Sequence, residues 1–256
     1  GVDPAIEIAS CFEPPTTPLG FNELSIAGAI RGKAVELAPC VTIDEKCIAN
    51  AEYVIEGELL VGARVREDQN SNTGKAMPEF PGYTGPANAE LPVIKVKAVT
   101  HRVNPIMQTC IGPSEEHVSM AGIPTEASIL DMVERAMPGR VQNVYAHSSG
   151  GGKFIAVIQF KKTVPSVDIF DTNDVLWAMT TRMQADVDIV TIPGVRCHPL
   201  DPSNDPACSW SIRDHGIACK TIYDATVPFN QKARFQRAKF MEVDVKKFLP
   251  DFTVQD

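Results

Sequence analysis

The apolar residues of this chain change period along its length. Before residue 100 they alternate in strand-like runs; from Thr125 onward they recur at every third or fourth position. A period of two belongs to a strand and one near 3.6 to a helix, so the chain cannot be a uniform bundle or a uniform sandwich. In Val93-Ile94-Lys95-Val96-Lys97-Ala98-Val99, Lys95 and Lys97 face one way and Ile94, Val96 and Ala98 the other. Residues 51–60 read as a second strand. Residues 62–90, rich in Gly, Pro, Asn and acidic side chains, read as a long loop of the functional or disordered kind. Glu13-Pro14-Pro15-Thr16-Thr17-Pro18 excludes regular helix, and residues 22–30 read as a short one.

The second texture begins with Ile129, Met132, Val133 and Ala136, the stripe of an amphipathic helix that Pro138-Gly139 stops. Residues 153–162 read as a buried strand. Asp171-Thr172-Asn173 offers a cap for a helix carrying Val175, Leu176, Met179 and Met183. Residues 188–192 and 220–223 read as short strands. The expected fold class is α+β, with the boundary between residues 112 and 125. One junction resists this reading. Lys161-Lys162-Thr163-Val164-Pro165-Ser166 runs straight into Val167-Asp168-Ile169-Phe170, two strand-like runs with no crossover, where parallel strands need a dozen or more residues. An internal segment missing near Ser166-Val167 is the expectation.

Charge and length narrow the function classes. The 256 residues carry 24 basic and 32 acidic side chains, a net charge of -8, which disfavours a nucleic-acid groove. No apolar run approaches the ~20 residues that span a bilayer. The chain opens Gly1-Val2-Asp3-Pro4, without an initiator Met or a secretory leader, so a processed start or a part of a longer product is expected. Seven cysteines with no C-x-x-C pair read as free thiols of a cytoplasmic protein; the eleven-residue spacing of Cys197, Cys208 and Cys219 fits no zinc pattern.

Several segments could carry chemistry. Ser149-Gly150-Gly151-Gly152-Lys153 precedes a strand rather than opening a helix, so it reads as a hairpin or surface turn and not a phosphate loop. In Ser114-Glu115-Glu116-His117, two carboxylates beside His117 read either as tuning an acid–base group or as a solvated helix start. Arg196-Cys197-His198-Pro199-Leu200-Asp201-Pro202 follows a strand and is stiffened by its prolines, as a site loop or a plain turn. Glu79, between prolines and aromatics in Met77-Pro78-Glu79-Phe80-Pro81-Gly82-Tyr83, reads as a partly buried proton-transfer group or as a solvated loop Glu.

Read together, these segments resemble the UbiD family of prenylated-flavin-dependent decarboxylases. Asn22-Glu23-Leu24-Ser25-Ile26-Ala27-Gly28 is similar to its E-x-x-x-A-G segment, and Ala51-Glu52-Tyr53-Val54-Ile55-Glu56-Gly57 to its A-E-I-V-x-E-G strand. Tyr83-Thr84-Gly85, Thr100-His101-Arg102-Val103-Asn104-Pro105-Ile106, Gly122-Ile123-Pro124-Thr125-Glu126-Ala127, Trp177-Ala178-Met179-Thr180-Thr181-Arg182 and Leu200-Asp201-Pro202-Ser203 continue the resemblance in order. Glu-Glu-His-Val-Ser-Met at 115–120 and Cys-His-Pro-Leu-Asp-Pro at 197–202 look most like AroY-type 3,4-dihydroxybenzoate and gallate decarboxylases.

The resemblance implies a split β-barrel flavin domain, present in part, over residues 1–114, a linking helix over 115–138, and an α/β domain over 139–256. It implies prenylated FMN, delivered by a flavin prenyltransferase, with Mn²⁺ and K⁺ at its phosphate. Glu23 sits at the metal- and cofactor-binding glutamate, and the remaining ligands, with the family's catalytic Arg, lie upstream of residue 1. Where the family reads E-G-P-F-G-E, this chain reads Met77-Pro78-Glu79-Phe80-Pro81-Gly82, so only Glu79 inherits the acid–base role. His117 and His198 are placed to hold the hydroxyls of a phenolic acid, because relatives acting on non-phenolic acids have non-ionisable residues there. The implied reaction is reversible, non-oxidative decarboxylation of 3,4-dihydroxybenzoate to catechol, or of gallate, vanillate or 4-hydroxybenzoate, by a homo-oligomer (dimer or hexamer). A fragment or scaffold without cofactor is the alternative.

Overall fold

The computed structural model describes residues 1–12, 17, 20–161, 167–198, 200–207, 216–238, 241 and 243–249. Helix α1 (Pro4–Ser10) starts where the Asp3 carboxylate accepts the Ala5 N–H at 3.0 Å. Helix α2 (Glu23–Arg31) starts where Asn22 accepts the Leu24 N–H at 2.8 Å. Such caps are each worth about 1 kcal/mol. The two helices bury Ala5, Ala9 and Ala27, and Arg31 pairs with Asp3 at 2.9 Å.

The strands of the first part form antiparallel pairs. Strands β1 (Leu37–Pro39) and β2 (Lys46–Ile48) make a short hairpin. Strand β3 (Tyr53–Val65) is longer than the alternation of residues 51–60 implies. Residues 62–90, expected to be loop throughout, hold the end of β3 and a hairpin of β4 (Lys75–Pro78) and β5 (Thr84–Pro86). Proline and glycine inside those strands hide them from a propensity reading. Strand β6 (Leu91–His101) pairs with β3.

The alternation expected for β6 breaks at Lys97. Glu56 pairs with Ala98 and Gly57 with Val96, so Lys97 is an extra residue and Val96 and Ala98 fall on opposite faces. Lys97 pairs with Glu58. One face of the ribbon carries Ile55, Leu59, Ile94, Val96 and Val99, each more than half exposed. The other face carries Glu56, 1% exposed. Its carboxylate accepts the Val41 N–H at 2.8 Å, the Thr42 N–H at 2.6 Å and the Thr42 hydroxyl at 2.7 Å, which ties the β1–β2 turn to β3.

Helix α3 (Glu115–Ala136) begins ten residues before the apolar stripe that announced it, because Ser114 caps it. Its buried residues are Val118, Gly122 and Pro124, whereas Met132 of the stripe is 67% exposed. The early half of the helix, which periodicity did not mark, is the half that packs. It lies against β7 (Val141–Ala146), a strand unforeseen in the sequence, which buries Val141, Val144 and Ala146 and pairs with β8 (Ala156–Phe160). Strand β8 is half-buried rather than buried.

Helix α4 (Thr172–Arg182) follows Asp171, whose carboxylate accepts the Asn173 N–H at 2.9 Å as the cap pattern requires. The run Val167–Phe170 is not a strand. The Asp168 N–H donates to the Asp174 carboxylate at 2.8 Å and Ile169 is buried, so the run is the entry to α4. The doubtful junction at 162–166 lies outside the described residues. A short helix α5 (Ala185–Asp188) leads into β9 (Ile189–Arg196), which pairs antiparallel with β10 (Ile217–Tyr223); α6 (Val245–Phe248) follows. The fold is α+β, and among the described residues the strands form five two-stranded pairs and no closed barrel.

Candidate functional site

The tip of the β4–β5 hairpin holds the first element of the site. The Glu79 N–H donates to the Tyr83 carbonyl at 3.0 Å and the Gly82 N–H to the Glu79 carbonyl at 2.8 Å, closing a turn on Phe80. Phe80 is 7% exposed although it sits at a hairpin tip. A buried aromatic there must be covered by something distant in sequence.

His117 and His198 are part of that cover. The Ser114 hydroxyl that caps α3 accepts the His117 N–H at 3.3 Å, so the helix start itself places His117. Its ring meets Phe80 edge-on, centroids 6.5 Å apart at 89°. A Cβ at Gly112 would lie 2.8 Å from His117 Nδ1, so the chain before the helix passes tightly over this imidazole. His117 Nδ1 is buried and has no hydrogen-bond partner among the described residues. An orphaned ring nitrogen costs stability unless a ligand completes it.

His198 arrives from the loop after β9. Its Nδ1 accepts the Leu200 N–H at 3.2 Å, and its carbonyl accepts from the Asp201 N–H at 3.1 Å and the Asn204 amide at 3.3 Å. Asn204 also donates to Cys197 Sγ at 3.1 Å, and Asp201 caps the next turn through the Ser203 N–H at 2.9 Å. An accepting Nδ1 leaves the ring proton on Nε2, a tautomer assigned from the hydrogen bond. The His198 ring meets Phe80 at 5.0 Å and 86°, and Phe154 lies 5.9 Å from His198 and 5.5 Å from Phe80. Two imidazoles thus meet one aromatic ring, an arrangement suited to binding and polarising a hydroxylated aromatic ligand.

Glu79 is half-buried one residue from Phe80, but its carboxylate makes no hydrogen bond or ion pair among the described residues. Glu23 is exposed on the first turn of α2 and shares no bond or ring contact with the histidines. No group of three His, Cys, Asp or Glu among the described residues could hold a metal ion, so Glu23 alone does not make a metal centre. A cleft lined by Asp3, Arg31, Glu52, Arg102 and Gln108 lies between α1, β2 and the segment after β6. Its arginines are paired in this structure, Arg31 with Asp3 and Arg102 with Glu52 at 3.5 Å. Gln108 links this cleft to α3 by donating to Glu116 at 3.0 Å.

Two buried carboxylates are structural. Thr42 and Val41 hold the Glu56 carboxyl below its ordinary range, against the opposing effect of burial. The Gly74 N–H, at 2.6 Å, does the same for Asp68, assisted by Arg66. The sequence reading missed Phe80 and Phe154 as site residues; the only local signal was an aromatic beside each of two singled-out turns.

A family model described as the 3-octaprenyl-4-hydroxybenzoate carboxy-lyase Rift-related domain matches residues 1–115, and the corresponding C-terminal domain matches residues 164–225. The gallate decarboxylase of Lactiplantibacillus plantarum is 54% identical over 279 residues, covering 97% of this chain and 57% of its own. The apo structure of a 3,4-dihydroxybenzoic acid decarboxylase from Enterobacter cloacae superposes with a TM-score of 0.87 at 57% identity, covering 98% of this chain and 57% of that one. The UbiD-class enzyme HmfF from Pelotomaculum thermopropionicum, solved in complex with FMN, superposes with a TM-score of 0.80 at 34% identity, covering 98% and 58%; an evolved dimeric form of HmfF is known in complex with prFMN. The chain therefore spans a little over half the length of these relatives. Because 97% of 256 residues is about 248, about 30 of the 279 positions aligned with the gallate decarboxylase face no residue of this chain.

Proposed function

The chain belongs to the UbiD family of carboxy-lyases, and from that membership we propose that the protein acts in the decarboxylation of a phenolic aromatic acid, with 3,4-dihydroxybenzoate as the first candidate. The observation that supports this reading most directly is the meeting of His117 and His198 across Phe80. Those imidazoles come from two distant segments, and one of them has a buried nitrogen with no partner among the described residues.

In this reading, the His117 imidazole meets one phenolic hydroxyl and the His198 imidazole the second. Phe80 and Phe154 wall the ring and exclude water. A site built to satisfy hydroxyls rejects an analogue without them by about 10⁴-fold, since its own polar groups are then left unpaired. Glu79, on the Phe80 turn, is the proposed donor of the proton that replaces the departing carboxylate. Prenylated FMN, proposed from the flavin-bound HmfF structures, supplies an electron sink when bound. The described residues do not by themselves close a metal site. Glu23 is proposed as one ligand of a Mn²⁺ that, with K⁺, holds the flavin phosphate. The split-barrel architecture of residues 1–114, the linking helix 115–138, the α/β domain 139–256, a homo-oligomeric state, a cytoplasmic location and supply of the cofactor by a flavin prenyltransferase belong to the same proposal. No helix among the described residues is long and apolar enough to cross a membrane.

Gallate is the second candidate, favoured by the identity to a gallate decarboxylase. The test is CO₂ release from a ring series by protein co-expressed with a flavin prenyltransferase. The reading expects 3,4-dihydroxybenzoate or gallate to lead, 4-hydroxybenzoate to follow and benzoate to be at least 10³-fold slower. Equal rates on benzoate would remove the role given to the histidines.

A further inference from the structure

The connection between β7 and β8, residues 147–155, is more than the surface turn its glycines suggest. Gly150, Gly151 and Gly152 are all buried. A Cβ on Gly151 would lie 2.5 Å from Phe80 Cδ2 and 3.1 Å from Phe80 Cε2. A Cβ on Gly152 would lie 2.6 Å from the Val118 carbonyl and 2.9 Å from the Gly122 nitrogen of α3. The turn is therefore wedged between the Phe80 ring and the helix segment that carries His117. Phe154, at its far end, contacts both Phe80 and His198. One short connection meets Phe80, His198 and the backbone of α3 next to His117.

His147 holds this connection in shape. It is 6% exposed. Its Nδ1 accepts the Ser149 N–H at 3.0 Å, its carbonyl accepts the Gly150 and Gly152 N–H groups at 2.9 and 3.2 Å, and its own N–H donates to the Ile155 carbonyl at 2.9 Å. With Nδ1 accepting, Nε2 carries the proton and donates to the Thr172 hydroxyl at 2.8 Å, on the first turn of α4. Both ring nitrogens are thus committed to structure, and the turn is pinned to α4 as well as to the hairpin.

We propose that the His147-anchored turn is the positioning element of the site, and that Gly151 sets the Phe80 ring between His117 and His198. Gly151 is a positioning residue that acts through Phe80. Its φ of 62° is open to alanine at a cost of about 1 kcal/mol, so the decisive effect of a methyl there is steric contact with the ring rather than backbone strain. The inference deepens the proposed function and rests on that reading for its catalytic consequence, but its geometry can be measured without turnover.

The test follows the histidine Cε1–H resonances of the full chain by NMR, with His101 as an internal reference, since its described ring partner is Tyr53 and not Phe80. A phenyl ring shifts protons near it, so Phe80→Ala is expected to move the His117 and His198 signals and leave His101 in place. Gly151→Ala is expected to move the same two signals in the wild-type background and to have no further effect in the Phe80→Ala background. In the loaded enzyme Gly151→Ala is expected to lower kcat about 10²-fold, the usual consequence of a reacting group misplaced by about 1 Å. Unmoved histidine signals in Gly151→Ala, or an equal shift with and without Phe80, overturn the proposal. If Gly151→Ala alone does not fold, the Gly151→Ala/Phe80→Ala double variant, in which no side-chain atom opposes the methyl, is expected to melt close to Phe80→Ala alone; a large further loss of melting temperature also overturns the proposal. Absence of CO₂ release from the unmodified, flavin-loaded protein would instead count against the decarboxylase reading and leave the resonance result standing.

Discussion

Phe80 shows how much one side chain can organise. It is nearly buried at a hairpin tip, and three aromatic rings from three later segments close on it. Phe80→Ala is expected to cost about 3 kcal/mol, as for a large buried aromatic, measurable as a lower urea midpoint with an unchanged slope. His117, His198 and Glu79 could be singled out as candidates in the sequence because ionisable residues stand out in proline-bounded or capped segments. Phe80 was not, because burial is a property of partners 37 to 118 residues away and leaves no local pattern. Glu56 supplies a prediction in pH. Its folded pKa is depressed by Thr42 and Val41. Its contribution to stability is therefore complete above the unfolded value of about 4.3 and is lost as pH falls through the lower folded value. Glu56→Gln should lower stability at pH 7 and flatten its decline between pH 5 and pH 3, as read by thermal melts across that window.

At the scale of elements, caps were read more reliably than packing faces. The Asp171 cap is where the sequence puts it, and β9 and β10 lie on the expected runs. The stripe on α3 was only part of the packing face: Ile129 and Val133 are half-buried and Met132 and Ala136 exposed, while Val118, Gly122 and Pro124 are fully packed; small residues and a proline carry little hydrophobic signal. Strand β7 escaped because Gln142, Asn143 and Tyr145 interrupt its apolar positions. The start of α3 carries its own test. Ser114→Ala removes the hydroxyl that caps the helix at His117. It should cost about 1 kcal/mol, and Ser114→Asp, which restores the acceptor, should recover most of it.

For the whole molecule, the open face of the β3–β6 ribbon is the main feature the local reading did not anticipate. Ile55, Leu59, Ile94, Val96 and Val99 form a contiguous apolar face on a chain that spans a little over half the length of its relatives. A patch of that kind binds apolar dyes. The 256-residue chain should therefore enhance the fluorescence of anilinonaphthalene sulfonate, and Leu59→Lys with Val96→Lys should reduce it without lowering the melting temperature. The α+β class was legible from periodicity alone; the pairing of every strand with a single antiparallel partner was not, because pairing depends on sequence-distant registers and on the bulge at Lys97. The central claim is that segments far apart in the chain build one phenol-binding site around Phe80. It is tested most directly by CO₂ release from 3,4-dihydroxybenzoate, comparing flavin-loaded protein with its His117→Ala and His198→Ala variants at equal flavin content. Each variant is expected to lose at least 10²-fold, with the double variant little worse than either single one, as for groups that act as a unit. Turnover by both single variants at the rate of the unmodified protein would contradict it.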